Sequence, residues 1–325
     1  MSWLRKLNRR YLLRYRLEYA LVLLCAYAVR SLSPAFAWRT ARTGARLLFR
    51  LGMRRRVLLA NLEVAFPGWT EEQRRRLARR SLEHFASMVV DVVFQRRMVS
   101  RRRLDRNFVL TGWVKEYMDH YGPEGYRRRS QRILYCTPHL GNWELASSFF
   151  SLFGIRVAPV YRGTNNPFLD RLIRRLRLDQ RFDVIERRGA VQEMLERFDR
   201  GENVGILCDQ SALRGIYVPF FGVETCTHKT PAVLVRDHGV DIVFGVFFRR
   251  GDFLRYELRA RKLEFDPPTD DRQADLTRIL TGLLRLVEEQ VRQEPEQYFW
   301  LHHRFKRSRG LRSPAPGRSQ KVGAP

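Results

Sequence analysis

The second half of the chain, from Ile133 onward, alternates between short apolar runs and longer stretches with a helical apolar period. The short runs are typical of buried strands, and the periodic stretches of helices that bury one face. Strands are predicted at 133–136, 157–161, 184–185, 204–208, 241–248 and 254–260, and helices at 143–152, 167–178, 190–199 and 276–291. This alternation predicts an α/β fold with a mostly parallel central sheet flanked by helices. The strand at 254–260 alternates like an exposed edge.

The first third of the chain is helical in pattern, over residues 35–95, with a break at 66–68. Thr70 followed by Gln73 matches a capping box, in which each of these two side chains binds the backbone N–H of the other residue. A new helix is therefore predicted to begin after Thr70.

The chain is strongly basic, with 61 Lys and Arg against 34 Asp and Glu and a net charge of +27. The first 60 residues hold 14 of these basic residues and a single acid, Glu18. Hydrophobic residues make up 44% of the chain, which excludes a disordered or collagen-like protein. The four cysteines are too few and too scattered for a disulfide framework.

Beside the N-terminal charge lies the most apolar segment, 19–29. Its eleven residues would span roughly 16 Å as a helix, about half of a hydrocarbon core, which is a poor fit to a full crossing. Three interpretations are open: an interfacial helix whose arginines meet anionic headgroups, a cleaved signal peptide, or an ordinary core helix. The dense arginine flanks disfavour the core helix, and we expect residues 1–30 to anchor the protein to a membrane.

A charge of +27 would also suit a nucleic-acid-binding protein, because each neutralised phosphate releases counterions. The sequence has no zinc-finger spacing, no RNP-type aromatic motif and no basic-region heptad. Lipid headgroups satisfy the charge as well as DNA does. We therefore expect membrane lipids, and no nucleic acid, as partners.

The domain organisation follows from these patterns. After the anchor, we expect a single domain over 31–306, in which the helical part is followed by an α/β part over 130–306. The tail at 307–325 is basic and rich in Pro, Gly and Ser. Because it has nothing to bury, we expect it to be disordered.

The segment with the most chemical information is 137–144, which reads Thr-Pro-His-Leu-Gly-Asn-Trp-Glu. Pro138 ends a strand, so His139 emerges at the carboxyl end of that strand, where ligands bind in open α/β sheets. A Gly-Asn turn places Glu144 in the first turn of the next helix. Glu144 could then accept the Nδ1 proton of His139 and leave Nε2 free as a general base. Alternatively, Glu144 only satisfies the helix N-terminus and His139 is a structural loop residue.

The sequence offers no enzyme nucleophile and no metal site. It lacks a G-x-S-x-G elbow, and Cys136 and Cys208 lie in predicted strands, where thiols are more often buried than reactive. A base at His139 would therefore activate a substrate hydroxyl or water directly. The histidines lack H-E-x-x-H or clustered spacing, so no metal is expected.

Five blocks of the chain follow a shared pattern in order. They are H-x4-E at 139–144, Y-R-x-x-x-N-P-x-x-D at 161–170, R-x-G-A at 187–190, D-Q with V-P-F-F-G at 209–222, and P-E-Q-Y-x-W-x-H-x-R-F-K at 295–306. Asn61-Leu62 and Phe66-Pro67 fit upstream. Together they resemble the lipid A biosynthesis (lauroyl/myristoyl) acyltransferases, within the lysophospholipid acyltransferase superfamily. Ser211 departs from the pattern, because many members carry a second acid after D-Q.

The resemblance implies a glycerol-phosphate-acyltransferase-like fold and acyl transfer from a thioester to a hydroxyl of a lipid A precursor, without a covalent acyl-enzyme. The co-substrate would be acyl-carrier protein, or else acyl-coenzyme A, and no other cofactor is implied. The resemblance also implies attachment to the cytoplasmic face of the bacterial inner membrane, which disfavours a cleaved signal.

The resemblance also marks site residues. His139 and Glu144 are the expected catalytic pair. Residues expected to bind substrate are Asn142, Arg162, Arg177, Asp209 and Gln210. Arg162 is a candidate for holding a phosphate or the oxyanion, and Asp209 for organising the arginines.

Two alternatives stay open. The same chemistry could act on another acceptor, such as a phosphatidylinositol mannoside or a lysophospholipid. The chain could instead be a non-enzymatic basic protein that binds membranes or nucleic acid, in which His139 is structural.

Overall fold

The structure is a computed structural model that describes residues 9–98, 100–129, 132–178, 184–187, 189–251 and 254–310. Most of the tail expected to be disordered, 311–325, lies outside these ranges. Within them, no helix combines the length and the apolar character needed to cross a membrane.

Four helices form the N-terminal part of the described chain. They are α1 (Arg9–Ser31), α2 (Pro34–Arg50), α3 (Arg55–Ala65) and α4 (Glu71–Met98). The predicted capping box at the start of α4 is confirmed: the Thr70 N–H donates to Gln73 Oε1 at 2.8 Å, and the Gln73 N–H donates to Thr70 Oγ1 at 3.2 Å.

The remaining helices alternate with strands. The helices are α5 (Leu104–Asn107), α6 (Trp113–Arg129), α7 (Leu145–Leu152), α8 (Pro167–Leu178), α9 (Ala190–Asp199), α10 (Thr230–His238) and α11 (Arg272–Gln293). The strands are β1 (Phe108–Gly112), β2 (Ile133–Thr137), β3 (Val157–Tyr161), β4 (Ile185–Glu186), β5 (Asn203–Leu207), β6 (Ser211–Phe220), β7 (Val223–Thr227), β8 (Asp241–Arg249) and β9 (Tyr256–Leu263). Every predicted strand is present, with its ends within three residues of the prediction.

Seven strands form one sheet in the order β1-β9-β8-β2-β5-β3-β4. The run β8-β2-β5-β3-β4 is parallel, whereas β9 pairs with β8 in antiparallel orientation and β1 follows β9 in parallel. The prediction of a mostly parallel sheet flanked by helices is thus confirmed. Because the five parallel strands run the same way, their carboxyl ends meet at one edge of the sheet.

Both faces of the sheet are covered. Successive residues of a strand point to opposite faces, so Leu134 joins a core with residues of α9, α10 and α11, whereas Tyr135 joins a second core with residues of α6 and α7. Burial on both faces explains why these strands read as continuous apolar runs rather than alternating ones.

The prediction that the strand at 254–260 forms an exposed edge is wrong. The corresponding strand, β9, lies between β8 and β1, and β1 takes the edge. The polar residues that suggested an edge are partly paired: Arg259 contacts Glu257 on the same strand and stacks over Phe248. The two-stranded hairpin β6–β7 was also not predicted from the sequence.

Helix α1 is docked against the α/β part through Asn166. The Asn166 side-chain amide donates to the Tyr15 carbonyl at 2.8 Å and to Glu18 at 3.1 Å, and Tyr19 packs near Phe168. Much of the rest of α1 and α2 is unusually apolar for an exposed surface. Large exposed side chains there include Leu13, Leu17, Leu21, Leu24, Tyr27, Phe36 and Leu47, and Leu51 follows directly after α2.

Candidate active site

The centre of the site is a buried His139–Asp209 pair. Strands β2 and β5 are adjacent and parallel, so the residues that follow them meet at the carboxyl edge of the sheet. His139 Nδ1 lies 2.7 Å from Asp209 Oδ1, and the His139 backbone N–H donates to Asp209 Oδ2 at 3.1 Å. His139 is 8% exposed and Asp209 is 1% exposed. One carboxylate therefore holds both the ring and the backbone of the histidine.

The surroundings keep Asp209 ionised. Burial alone would raise the pKa of Asp209, but the charge and hydrogen bonds of His139, together with the charge of Arg304, outweigh it and hold the pKa below its ordinary value. Tyr298, which is also buried, hydrogen-bonds to the same carboxylate. An ionised Asp209 stabilises an imidazolium on His139.

Gln210 completes the immediate surroundings of the ring. Its Nε2 lies 2.9 Å from Nε2 of His139. Because Nδ1 donates to Asp209, the neutral ring carries its lone pair on Nε2, and the Gln210 amide donates to it. The nitrogen available for proton transfer is thus the one on the cavity side, where Gln210 also lies.

The expected role of Glu144 as the acceptor of the Nδ1 proton is wrong, because the carboxylate on Nδ1 belongs to Asp209. Glu144 instead lies on the cavity wall at the start of α7. Asp209, which was expected to organise the arginines of the site, holds His139 with both of its carboxylate oxygens. Pairing of β2 with β5 brings Asp209 to the ring, whereas Glu144 stays on its own helix.

The loop after His139 is fixed by backbone contacts. Gly141 has φ +65°, and a Cβ at this position would lie 2.0 Å from the Phe247 carbonyl oxygen. The Gly141 N–H donates to the Gln297 carbonyl, and the Phe299 N–H donates to the His139 carbonyl. The C-terminal block at 295–306 therefore pairs with the loop that holds His139, the catalytic loop (138–143). Position 141 requires glycine because the Phe247 backbone approaches it so closely.

Asn142 is not placed to bind substrate, contrary to expectation. It is fully buried, and its side-chain amide donates to the Tyr256 hydroxyl at 3.0 Å. That hydroxyl also hydrogen-bonds to Asp91, which forms a buried ion pair with Arg249. Asn142 therefore ties the catalytic loop to helix α4 and the sheet, a network that the sequence did not indicate.

His84, also on α4, holds the loop from the same side: its Nε2 lies 3.1 Å from the Gly141 carbonyl oxygen. Burial lowers the pKa of His84 to about 4; the hydrogen bond to Gly141 opposes this shift and the charge of Arg249 adds to it. The folded protein therefore keeps His84 neutral, so that its Nε2–H donates to the loop.

We expect His84 to make the fold sensitive to acid. The unfolded chain takes up a proton near pH 6.5, which folded His84 accepts only near pH 4, so its stability contribution is complete above pH 6.5 and lost as the pH falls toward 4. The loss between pH 7.5 and 4.5 is about 2 to 3 kcal/mol. His84→Gln keeps a donor for the Gly141 carbonyl but cannot take up the proton. Its free energy of unfolding in urea should therefore fall less than that of the parent over this pH range, by about 2 to 3 kcal/mol. An exposed control, His238→Gln, should behave as the parent, and equal losses in His84→Gln and the parent would contradict the assignment.

His139 opens into a cavity of about 440 Å³ beneath the carboxyl edge. Its interior is apolar and draws on strands and helices of both cores, with Tyr135, Phe149, Phe150, Val157, Met194, Ile206, Val243, Phe247 and Leu258 among the lining residues. Polar side chains are concentrated near His139 and the strand ends. An apolar chain with a polar head fits such a space.

Arginines line the cavity mouth. Arg162 follows β3 and Arg187 follows β4, and these strands pair with Tyr161 opposite Glu186, so the two arginines lie side by side. Arg177 lies in α8, but its side chain is outside the part of the chain that the structure describes. His228 also lines the cavity, although the sequence gave it no role beyond possible metal binding.

The cavity contains two thiols that are poor nucleophiles. Cys136 and Cys208 line it and are both buried. Burial raises the pKa of both thiols well above the ordinary value, which disfavours the reactive thiolate. Both thiols are therefore poor candidates for a nucleophile at this site.

Known proteins resemble this chain over most of its length. The model of the bacterial lipid A biosynthesis acyltransferase family matches residues 5–307. A lipid A biosynthesis lauroyltransferase of Escherichia coli is 27% identical over 257 residues, covering 78% of this chain and 79% of its own length. The palmitoleoyltransferase of the same organism is 24% identical over 84% of this chain and 85% of its own length. A lipid A biosynthesis acyltransferase of Haemophilus influenzae is 24% identical over 86% and 84%.

The family match spans the five motif blocks, the catalytic loop and the arginines at the mouth. The activity of this family is acyl transfer. This reaction requires a base and an apolar space for the acyl chain. The chain belongs to the bacterial lipid A biosynthesis acyltransferase family and is an acyltransferase.

Proposed function

We propose that this enzyme transfers a fatty acyl chain from the thioester of acyl-carrier protein to a hydroxyl of a lipid A precursor. The observation that carries the proposal is the His139–Asp209 pair at the polar end of a large apolar cavity. The acyl chain occupies the cavity, and the reacting carbonyl lies at His139. The names of the relatives, which all refer to lipid A biosynthesis, support the choice of acceptor.

The chemistry proceeds in one displacement. The acceptor hydroxyl replaces the Gln210 amide at Nε2 of His139 and gives up its proton to that nitrogen as its oxygen attacks the thioester carbonyl. Asp209 stabilises the imidazolium. The carbon–sulfur bond then breaks, and the imidazolium returns its proton to the departing thiolate. Arg162 stabilises the oxyanion, and Glu144 contacts the bound substrate from the cavity wall.

No covalent acyl-enzyme is part of this proposal. The two thiols in the cavity are held protonated by burial, so an attack by cysteine is disfavoured. The acceptor hydroxyl therefore meets the thioester directly, and both substrates are bound when transfer occurs.

We also propose that the enzyme works on the cytoplasmic face of the inner membrane, where α1 and α2 rest in the interface. The exposed leucines and aromatic residues of these helices adjoin the most basic part of the chain. Such a surface buries apolar side chains among lipids and meets anionic headgroups with arginine.

The test is a transfer assay with purified enzyme in mixed lipid–detergent micelles. Acyl-carrier protein with a radiolabelled acyl chain is offered with a lipid A precursor, a lysophospholipid or a phosphatidylinositol mannoside. We expect label in the lipid A precursor at a rate at least ten times that of either other acceptor. Transfer to neither the lipid A precursor nor any other acceptor would refute the proposal.

A further inference from the structure

Two cationic side chains at the cavity mouth, those of Arg162 and Arg187, come directly after paired strands and have no described carboxylate to neutralise them. Within the described ranges, neither forms an ion pair with Asp or Glu. Two acids close to them in sequence are engaged elsewhere: Asp170 and Glu186 both pair with Arg174 at 2.8 Å. Adjacent like charges at a cavity mouth favour binding of an anion.

His228 adds a hydrogen-bonding group to this mouth. It lines the same cavity, between the end of β7 and the start of α10. Burial lowers its pKa, and the charges of Arg187 and Arg304 lower it further, so His228 is neutral at pH 7 and can donate one N–H. Arg187 and His228 thus line the same cavity, and the charge of Arg187 acts on the His228 ring.

Helix α10 supports the same side of the mouth. It begins at Thr230, which also lines the cavity, so the partial positive charge of its first turn adds to that of the arginine. Of the described titratable residues that line the cavity, Glu144 is the carboxylic acid, and it lies at the start of α7. The rim beside Arg187 is therefore positive.

We infer that Arg187 and His228 bind a phosphate ester carried by one of the two substrates, and so position that substrate for attack. A guanidinium offers two parallel N–H groups that match two phosphate oxygens, and a neutral imidazole can supply a third donor. Arg162, which follows the neighbouring strand, then stabilises the oxyanion, as in the proposed function. The inference rests on the proposed function, since it assigns to that site a part of its substrate.

Two sources of phosphate are available: the acceptor lipid and the phosphopantetheine arm of the donor. Paired substrates distinguish them. On the acceptor side, a lipid A precursor is compared with the same lipid after removal of its phosphates by alkaline phosphatase. On the donor side, the acyl-carrier protein thioester is compared with an acyl thioester of N-acetylcysteamine, which has no phosphate. Each pair gives a ratio of kcat/KM with and without phosphate.

The test variant is Arg187→Gln, and the matched control is Arg285→Gln, an exposed arginine on α11 that does not line the cavity. We expect Arg187→Gln to reduce the phosphate-dependent ratio of one pair by about 10- to 100-fold, which is typical of a lost charge-assisted hydrogen bond. His228→Asn should lower the same ratio by less, and Arg285→Gln should leave it unchanged.

The outcomes are separable. A collapse of the ratio for the acceptor pair assigns the site to the lipid phosphate, and a collapse for the donor pair assigns it to phosphopantetheine. Equal loss with phosphate-free substrates, or no loss at all, would overturn the inference. A parent enzyme that is inactive with every pair would refute the proposed function instead.

Discussion

Replacing His139 with alanine will abolish acyl transfer while leaving the fold intact. The variant lacks the nitrogen that removes the proton from the acceptor hydroxyl, and Gln210, which lies 2.9 Å from that nitrogen, is an amide and cannot act as a base in its place. The rate should fall by about 10³-fold or more, within the range seen when a general base and its hydrogen bonds are lost together. The measurement is the initial rate with radiolabelled acyl-carrier protein and a lipid A precursor.

The matched control is His238→Ala, at the exposed end of α10, which removes an imidazole far from the cavity. It should keep parental activity. Circular dichroism and vesicle binding should be the same for both variants and the parent, because neither change touches the exposed apolar side chains of α1 and α2. A folded His139→Ala enzyme that turns over at the parental rate would contradict the proposed role.

Much of the fold could be predicted from the sequence because the physical signals are local. Burial on both sides of the sheet makes β2, β5 and β8 continuous apolar runs, and a helix that buries one face has a clear period. The parallel arrangement also predicts that residues after successive strands gather at one edge. His139, Arg162 and Gln210, which come after β2, β3 and β5, do all line the cavity.

The rule that residues after parallel strands gather at one edge does not say which acid pairs with His139. Spacing along the chain pointed to Glu144, five residues away, but strand pairing brings in Asp209, 70 residues away. Contacts made by pairing of distant strands leave no periodic signal in a single sequence. The one available hint was the Asp-Gln pair directly after a predicted strand, which was given a different role.

The support of the catalytic loop was also beyond sequence reasoning. Asn142 is polar and lies in the most informative motif, which suggested contact with substrate, yet its amide is buried against Tyr256. The same network includes Asp91 and Arg249, two charged residues that the sequence alone would place at the surface. Buried polar groups of this kind are satisfied by partners that come from other elements. The N-terminal helical part is therefore a structural support for the site as well as a candidate membrane surface.

Changing Asp209 to asparagine will lower kcat by about 10²- to 10⁴-fold, with a much smaller effect on KM. The amide cannot offset the positive charge that forms on His139, and it can turn its NH₂ toward Nδ1, which favours the wrong tautomer of the ring. Because the lost interaction strengthens as the proton is transferred, the effect belongs to the transition state rather than to substrate binding.

The control for Asp209→Asn is Asp275→Asn, which removes another buried carboxylate that pairs with Arg236 and Arg278 and does not line the cavity. It should reduce stability without lowering the specific activity of the folded fraction. Parental kcat in Asp209→Asn, or an unchanged kcat together with a raised KM, would show that Asp209 acts on substrate binding and not through His139.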